Sequence, residues 1–570
     1  MSVNTQGLSR PRSSRACFQE GGTGVTPVKS GVAPDFVVDR SSQRFHKGTC
    51  RRTTHDGFGR DARNNRPEAC ATFPIWKTRL NERLKESEPP STVSQFQVLV
   101  VAASLALLVG TGCQKSVSPG ALVLTQSPAT AAATPASDIL DLRYPSGSRV
   151  VLMESPLGSG RVQVLSEGLA AAGDPVVSYD GQRVFFVGKA GATGDWQIYQ
   201  KDLAAGHPQM LTSMPGGAIS PALLPTGSLV FASPVPKIGG PNSSQPPSAL
   251  YVQSPGGQPR QLTFSSRSIT APTMLADGRI LFVSTSPSEA SNSVSGPALF
   301  TINNDGTEIT AFAGPEDPVS AIQQPRLLAD GRVVFLISKS GSSSAGFVRT
   351  ARPFQSRAPL FPGVPARVSS VEAASNGDLL VCAENATNVK ASLALFRVSP
   401  TATTLGAPLL ADPAWNNCEA AEVSPHRPPM GRLSTMDPAK STGKILCLDA
   451  NFSADPADGK TPVATHVRVL AQTSPGNINA LGEVPVLADG SFLAEVPADV
   501  PIGFEALDEN GRVLRREAPM IWVRPAENRT CVGCHEPHNR APHNHRPLAV
   551  NVPLPCLSLK NAGPTLTKSN

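Results

Sequence analysis

The feature of this 570-residue sequence that most constrains its fold is a turn that recurs through the middle of the chain. Asp-Gly, Thr-Gly or Asn-Gly pairs place glycines at Gly181, Gly227, Gly278, Gly331 and Gly377, with spacings of 46, 51, 53 and 46 residues. Each pair lies between a short strand-like segment and a strongly apolar one. Glycine supplies the positive φ that a tight hairpin needs. The pattern therefore predicts five similar β-hairpins.

A second hairpin pattern follows most copies, for example "QIYQKDL" before "QMLT" and "ALYVQS" before "RQLT". Four strands per ~45–50 residues is typical of a propeller blade, and blades must pack around an axis to bury both faces. A weaker copy, "RYPSGSRVVLM", precedes the others at 143–153. These units resemble the TolB-type propeller repeat over roughly 140–425. We expect an all-β fold with a propeller of six or seven blades at 139–425.

The acidic residues of the repeated turns, Asp180, Asp277 and Asp330, are expected to support the turns structurally. The repeat shows no shared acidic cluster, so the sequence predicts no metal site in the propeller.

A different β pattern occupies 426–555. Segments such as "THVRVLAQ" (465–472) and "EVPVLADGSFLAEVPA" (483–498) alternate apolar and polar residues and contain further Asp-Gly and Asn-Gly turns. This alternation favours a small β-sandwich-like domain. The last strand of the pattern leads directly to Cys531. The remaining residues, 556–570, are expected to form a disordered tail.

The net charge of +7 does not indicate nucleic-acid binding. Residues 1–90 carry 16 Lys+Arg and 9 Asp+Glu, which accounts for the entire surplus and leaves the rest of the chain neutral. A neutral body has no broad basic field to hold phosphates. Residues 1–95 show no hydrophobic periodicity, and we expect a disordered or wrongly assigned extension, with translation beginning near residue 84.

An export signal is predicted at 96–113, "FQVLVVAASLALLVGTGC". Its apolar run is short for a membrane span but has the length of a signal-peptide core. The segment Gly-Thr-Gly-Cys at 110–113 resembles a bacterial lipobox, which implies that Cys113 is lipidated; an ordinary secretory signal is the alternative. Residues 114–138 are rich in Ser, Thr, Ala and Pro and are expected to form a flexible tether. The predicted location is the periplasm of a Gram-negative-type bacterium, with the protein anchored to a membrane.

The segment Cys531-Val-Gly-Cys534-His535 matches the attachment motif of c-type haem. Two thiols would add to the two vinyl groups of the porphyrin, and the adjacent histidine would bind the iron. Such attachment occurs outside the cytoplasm, in agreement with the signal. A zinc site formed by the cysteines with nearby histidines, or a disulfide, are the alternatives.

A sixth iron ligand has four candidates, with His543 and His545 favoured over the others, and the position can also stay open. The candidates are His538, His543, His545 and Met520.

The stretch "LGEVPVLADGSFLAEVPADVPIGFEALDENGRVLRREAPMIWVRPAENRTCVGCHEP" resembles the middle domain of the hydrazine synthase alpha subunit family. "PHRPPM" (425–430) resembles the family's linker, and the upstream propeller matches its architecture, so the resemblance covers about 140–555. It implies one covalent haem c in the middle domain. In the family, a tyrosine four residues after the motif histidine is thought to bind the haem; here that position is Asn539. The family's longer members continue into a second haem domain, whereas this chain ends at residue 570. Hydrazine synthesis is therefore not expected.

Three functions remain open from the sequence. The first is an exported mono-haem cytochrome that passes electrons to a redox protein, with the propeller as docking platform. The second is a haem oxidoreductase acting on a small molecule. The third is a non-enzymatic propeller that binds a protein or polymer, with zinc or a disulfide at the motif. Four further cysteines, at 382, 418, 447 and 556, allow three pairings among which the sequence does not choose.

Overall fold

A computed structural model describes residues 120–129, 143–154, 162–235, 247–285, 297–313, 321–339, 342–348, 358–359, 367–384, 393–453, 462–474, 477–534 and 544–559. The expected extension (1–95) and signal (96–113), including Cys113, lie outside these residues. No helix within the described ranges is both long and apolar enough to cross a bilayer.

Six sheets between residues 122 and 422 form the blades of a β-propeller. Blade 1 contains β1 (Leu122–Pro128), β2 (Arg149–Met153), β3 (Val162–Val164) and the last propeller strand, β23 (Trp415–Glu422). Blade 2 contains β4 (Ala171–Val177), β5 (Arg183–Lys189), β6 (Gln197–Asp202) and β7 (Gln209–Met210). Blade 3 contains β8 (Ile219–Leu223), β9 (Leu229–Pro234), β10 (Ser248–Gln253) and β11 (Arg260–Gln261).

The second half of the propeller has the same layout. Blade 4 contains β12 (Ser268–Met274), β13 (Ile280–Thr285), β14 (Ala298–Ile302) and β15 (Thr310–Ala313). Blade 5 contains β16 (Ala321–Leu327), β17 (Val333–Lys339), β18 (Ser342–Val348) and β19 (Ala358–Pro359). Blade 6 contains β20 (Val368–Ala373), β21 (Leu379–Glu384) and β22 (Leu393–Val398). The predicted all-β propeller is confirmed, with six blades in the described residues.

The ring is closed by strands from its two ends. The innermost strands β4, β8, β12, β16, β20 and β23 each contact the next, and β23 contacts β4 to complete the circle. Strand β23 pairs antiparallel with β1, so residues almost 300 positions apart, such as Thr125 and Cys418, lie opposite each other. Six apolar clusters each fill the space between two neighbouring blades. Each blade thus buries both faces, as the repeat predicted.

The repeated turns have the predicted geometry. All five glycines identified from the sequence have positive φ, between 70° and 87°. At Gly278, a Cβ would lie 2.2 Å from the Met430 carbonyl oxygen, because the chain that leaves the propeller passes over this turn. The carboxylates of Asp277 and Asp330 accept hydrogen bonds from backbone amides two residues on, at 3.1 and 3.0 Å. Their predicted structural role is confirmed.

Five of the six innermost strands contain a register shift at which one residue adopts a left-handed backbone conformation. These residues are Asp174 (φ 53°), Ser220 (53°), Ala271 (51°), Gln324 (48°) and Glu419 (54°). Left-handed backbone at a non-glycine residue costs on the order of 1 kcal/mol. Four of the five residues line one small cavity, so the bulges direct chemically different side chains to a common point.

A second β domain follows the propeller and is a two-layered sandwich. One layer has the order β27 (Phe492–Pro497), β24 (Thr442–Asp449), β30 (Asn528–Gly533); the other has the order β26 (Asn477–Pro485), β25 (His466–Ser474), β28 (Ile502–Leu507), β29 (Val513–Ile521). A single apolar cluster packs between the layers. Strand β30 runs parallel to β24, and a short 3₁₀ helix, Leu548–Asn551, covers one end of β27.

Two sequence-based boundaries need correction. Residues 122–128, expected within a flexible tether, form β1, an interior strand of blade 1. Leu122, Val123 and Leu124 are fully buried there because their strand pairs with β23, a partner that local sequence does not reveal. Residues 556–559, expected in a disordered tail, include a bridge from Cys556 to Glu495 and the buried Leu557.

Candidate functional site

The C-x-x-C motif begins on the last strand of the sandwich. Cys531 lies on β30, is partly buried, and packs against the apolar cluster between the layers. Parallel pairing places it beside Cys447 of β24. Alternation along β30 leaves Val532 36% exposed on the opposite face. The first cysteine is therefore fixed by the sandwich itself.

Cys534 lies just beyond the end of β30. Its backbone N–H donates to the Phe452 carbonyl oxygen at 3.1 Å, and its thiol donates to Glu517 Oε1 at 3.4 Å. Burial raises the pKa of the Cys534 thiol to about 12, with a further contribution from the negative charge of Glu517. At neutral pH the thiol is therefore protonated. Gly533 between the cysteines has no room for a side chain, because a Cβ would lie 2.3 Å from the Phe452 carbonyl oxygen.

Cys447 is a third thiol at this site, and sequence reasoning did not connect it with the motif. It is 2% exposed, and burial raises its pKa well above the ordinary value, with Cys531 and Cys534 close enough to contribute. None of the six described cysteines forms a disulfide. Only the strand pairing of β24 with β30 brings residue 447 next to residue 531, and 84 residues separate the two in the sequence.

The predicted histidine ligands are only partly described. His535, His538 and His543 lie outside the described residues, as does the side chain of Met520. His545 is described: its Nε2 lies 3.0 Å from Asp489 Oδ2, at the turn between β26 and β27. Burial alone would raise the pKa of Asp489, but hydrogen bonds from the Leu548 amide, from Ser491 and from His545 hold it below its ordinary value. The sixth-ligand assignment stays a prediction.

The segment that leads into the motif is docked on the propeller. Trp522 is 1% exposed within the apolar cluster of blades 3 and 4, and its Nε1 donates to the Gly306 carbonyl oxygen at 2.9 Å. Arg524 Nη1 donates to the Leu262 carbonyl oxygen at 3.0 Å, and Arg529 donates to a carbonyl oxygen of the same face. The start of the motif is therefore held against blades 3 and 4.

An apolar cavity of about 370 Å³ lies in the same domain, on the edge of β27 away from β24. Its walls come from β27, from the 3₁₀ helix and from the segment after that helix, and include Phe492, Leu493, Ala549, Val552 and Leu554. Pockets of this size and character are typical of small-molecule sites. Among the residues that the structure describes, no group of three or more His, Cys, Asp or Glu side chains is placed to hold a metal ion.

A second concentration of charge lies on the propeller axis, and the sequence analysis missed it. Glu419 is 3% exposed, and its carboxylate accepts hydrogen bonds from Tyr144 at 2.6 Å and from Arg143. It also accepts from Thr125 Oγ1 and the Asp174 amide, each at 2.8 Å, and from Gln324 Nε2 at 2.9 Å.

Burial alone would raise the pKa of Glu419. The positive charge of Arg143, with hydrogen bonds from Tyr144, Thr125 and the Asp174 amide, instead holds it below the ordinary value. The residue is therefore an ionised hub that joins blades 1, 2 and 5.

A second ion pair borders this hub. Arg326 Nε donates to both carboxylate oxygens of Glu372, at 2.7 and 2.9 Å, and Arg326 Nη2 donates to Asp174 Oδ1 at 3.2 Å. The repeat did contain a signal for this cluster. Asp174 and Gln324 stand at the same position of their copies, directly before a proline, as do Ser220 and Ala271. Residues at one position of a propeller repeat converge on the axis.

Comparison with known proteins agrees with this geometry. The chain combines a six-bladed propeller with a β-sandwich domain that ends in a C-x-x-C-H motif. Residues 448–536 match the family described as "Hydrazine synthase alpha subunit middle domain". This stretch of the chain therefore resembles the middle domain of that family, and the predicted resemblance is confirmed.

A curated relative and two solved structures extend the comparison. A stretch of 108 residues is 31% identical to hydrazine synthase subunit alpha of Kuenenia stuttgartiensis and covers 19% of this chain and 13% of that protein. A solved structure of Kuenenia stuttgartiensis hydrazine synthase aligns with a TM-score of 0.64 at 18% identity, over 76% of this chain and 71% of that one, and shares its fold. TolB of Acinetobacter baumannii aligns over 59% of this chain and 74% of its own, at 16% identity, with a TM-score of 0.34.

Proposed function

We propose that the protein is an exported, lipid-anchored c-type cytochrome with one covalent haem, and that its propeller is a docking scaffold for a redox partner. One observation carries the proposal. A C-x-x-C-H sequence lies inside the matched domain, with its first cysteine fixed on a sandwich strand and its flank docked on the propeller.

The residues of the motif are chemically suited to hold such a haem. Cys531 and Cys534 have the required spacing and are not joined in a disulfide, and His535 follows directly in the sequence. The two cysteines would hold the porphyrin through thioether bonds, and His535 would bind the iron. The haem would supply a one-electron redox centre. Trp522 and Arg529 would keep the attachment point fixed relative to blades 3 and 4, which would limit reorganisation when charge is transferred.

Export supports this assignment, since covalent attachment takes place outside the cytoplasm. The apolar segment at 96–113 is the proposed signal, and Cys113 is the proposed lipid attachment site. The neutral body of the chain favours a protein partner over nucleic acid.

The experiment is a pyridine haemochrome spectrum of the full chain, expressed with its own signal and with the cytochrome c maturation machinery. The double variant Cys531→Ala/Cys534→Ala removes both thioether donors. Cys556→Ala is the matched control, because Cys556 is an exposed cysteine of the same domain outside the motif. We expect a c-type spectrum in the wild type and the control, and none in the double variant.

Absence of haem from the wild type would refute the proposal. In that case, zinc bound in a 1:1 ratio would support the zinc alternative, and a C531–C534 crosslink the disulfide alternative.

A haem oxidoreductase acting on a small molecule is the second candidate function for the matched domain. The relative named hydrazine synthase subunit alpha supports this function, because its name refers to the synthesis of a small molecule. The same sample separates the two functions. A six-coordinate low-spin haem that does not bind CO supports electron transfer, whereas a five-coordinate haem that binds CO supports the oxidoreductase.

A further inference from the structure

Three cysteine thiols lie together at the motif, and the haem proposal uses only two of them. Parallel pairing of β24 with β30 places Cys447 directly opposite Cys531. Neighbouring strands lie about 4.8 Å apart, which is within the range of about 4.4–6.8 Å that the Cα atoms of a disulfide span. Cys447 is therefore placed to form a covalent bond with the first cysteine of the motif.

The side chains of this pair face the same side of the sheet. Alternation along β24 directs Ile445 and Cys447 into the apolar cluster between the two layers. Cys531 packs against the same cluster, whereas its neighbour Val532 is exposed on the opposite face. The Cys531 sulfur is close enough for its charge to contribute to the raised pKa of Cys447. Both residues are thiols in the described structure.

Cys534 is engaged elsewhere. It lies beyond the end of β30, and its backbone N–H donates to the Phe452 carbonyl oxygen at 3.1 Å. Its thiol donates to Glu517 Oε1 at 3.4 Å, on a strand of the other layer. A move of Cys534 towards Cys531 would have to break both bonds. The fold therefore favours Cys447 over Cys534 as the partner of Cys531.

The exposure of the two sulfur atoms sets the order of the chemical steps. Cys531 is only partly buried and can be reached by a small disulfide from solvent, whereas Cys447 is 2% exposed. The Cys531 thiolate attacks one sulfur of that external disulfide and releases a thiol. Cys447 then attacks the Cys531 sulfur of the mixed disulfide and releases a second thiol. Two electrons and two protons thus pass from the cysteine pair to the external disulfide, which is the oxidant.

We propose that Cys447 and Cys531 form a disulfide in the chain without haem, and that this disulfide withholds the first thiol of the motif. The consequence for haem rests on the proposed function. A sulfur in a disulfide has no S–H to add to a vinyl group, so a thiol reductant must reopen the pair before haem is attached. The pairing itself requires no haem.

The test uses the full chain, exported with its own signal but without the cytochrome c maturation machinery. Thiols are alkylated at cell lysis, and tryptic peptides are mapped without reductant. Residues 445–460 carry Cys447, and residues 530–540 carry both cysteines of the motif. We expect these two peptides to be joined, and the joined peptide to disappear after treatment with dithiothreitol.

Single variants identify the sulfur atoms. Cys534→Ala should keep the joined peptide, whereas Cys531→Ala and Cys447→Ala should lose it. Cys556→Ala is the matched control, because Cys556 is a cysteine of the same domain outside the motif, and it should keep the joined peptide. Alkylation of Cys447 in the wild type, or loss of the joined peptide in Cys534→Ala, would overturn the pairing.

Haem content tests the consequence for attachment. The chain is expressed with the maturation machinery and with oxidised glutathione in the medium. Cys447→Ala should then carry more haem per chain than the wild type, and reduced glutathione should remove the difference. Equal haem contents in oxidised glutathione would overturn the control of haem attachment by this disulfide. Because the joined peptide is measured on chains without haem, it separates failure of this inference from failure of the haem proposal.

Discussion

Replacement of Glu419 by glutamine should destabilise the protein far more than the loss of one charge on the surface would. The carboxylate receives five hydrogen bonds, three at Oε1 and two at Oε2. Glutamine has the same shape but turns one acceptor into an NH₂ group. If that group replaces Oε2, it meets the Asp174 amide N–H, which cannot rotate away. If it replaces Oε1, it meets the guanidinium of Arg143.

The magnitude follows from these two cases. One buried donor left without an acceptor costs about 1–3 kcal/mol. Breaking a buried ion pair costs about 3–5 kcal/mol, but Arg143 is 33% exposed, so solvent screens part of that loss. We expect Glu419→Gln to lower the free energy of unfolding by about 3 kcal/mol. Urea unfolding at pH 7, followed by tryptophan fluorescence, measures it.

Glu384→Gln is the matched control. Glu384 is 42% exposed and pairs with Arg367, which is 56% exposed, at 3.4 Å on the same propeller. Its loss should cost less than about 0.5 kcal/mol. Equal stability of the two variants would show that the axial hydrogen bonds of Glu419 contribute no more than an exposed ion pair does.

Two further predictions concern the same part of the propeller. Burial raises the pKa of Glu372 to about 7, with Arg326 opposing the shift. Because the folded state then binds the proton more tightly than the unfolded chain, stability should fall as pH rises from about 4.5 to about 7, by at most about 3 kcal/mol. Subtracting the pH profile of Glu372→Gln isolates this slope, and identical profiles would contradict it. Burial raises the pKa of the Cys382 thiol, and Cys418 lies close enough to contribute, so oxidation of the folded chain by a disulfide-bearing thiol oxidant should join these two cysteines across the closure of the ring. Peptide mass spectrometry without reductant should find this crosslink, worth about 4 kcal/mol for the loop that it closes, whereas full alkylation of both thiols would exclude it.

The sequence predicts most accurately what neighbouring residues decide. The turn at Gly278 requires a positive φ, and the Asp-Gly pair between two apolar strands predicts this turn from neighbouring residues alone. The same holds for the alternation that produces β27. The regular recurrence of such units then fixes the propeller, because one blade cannot bury both of its faces.

Features assembled from distant strands were not predicted. Strand β1 was mistaken for tether because its Ser- and Pro-containing flanks obscure the apolar core of the strand, and its partner β23 is almost 300 residues away. The axial cluster draws one or two residues from each of several blades. A proline marks the shared position in four copies, but which side chains meet at the axis is decided only by closure of the ring. Cys447 is near the motif only through the parallel pairing of β24 with β30.

If Cys113 carries a lipid, as proposed, the position of β1 limits how far the body of the protein can move from a membrane. Nine residue steps separate Cys113 from Leu122, the first residue of blade 1. A fully extended chain covers at most about 3.6 Å per residue, so Leu122 can lie at most about 30 Å from Cys113. With a lipid on Cys113, blade 1 would stay within that radius of the bilayer surface. A partner for the proposed haem would then have to be found in a thin layer next to the membrane, either as a membrane protein or as a soluble carrier that visits its surface.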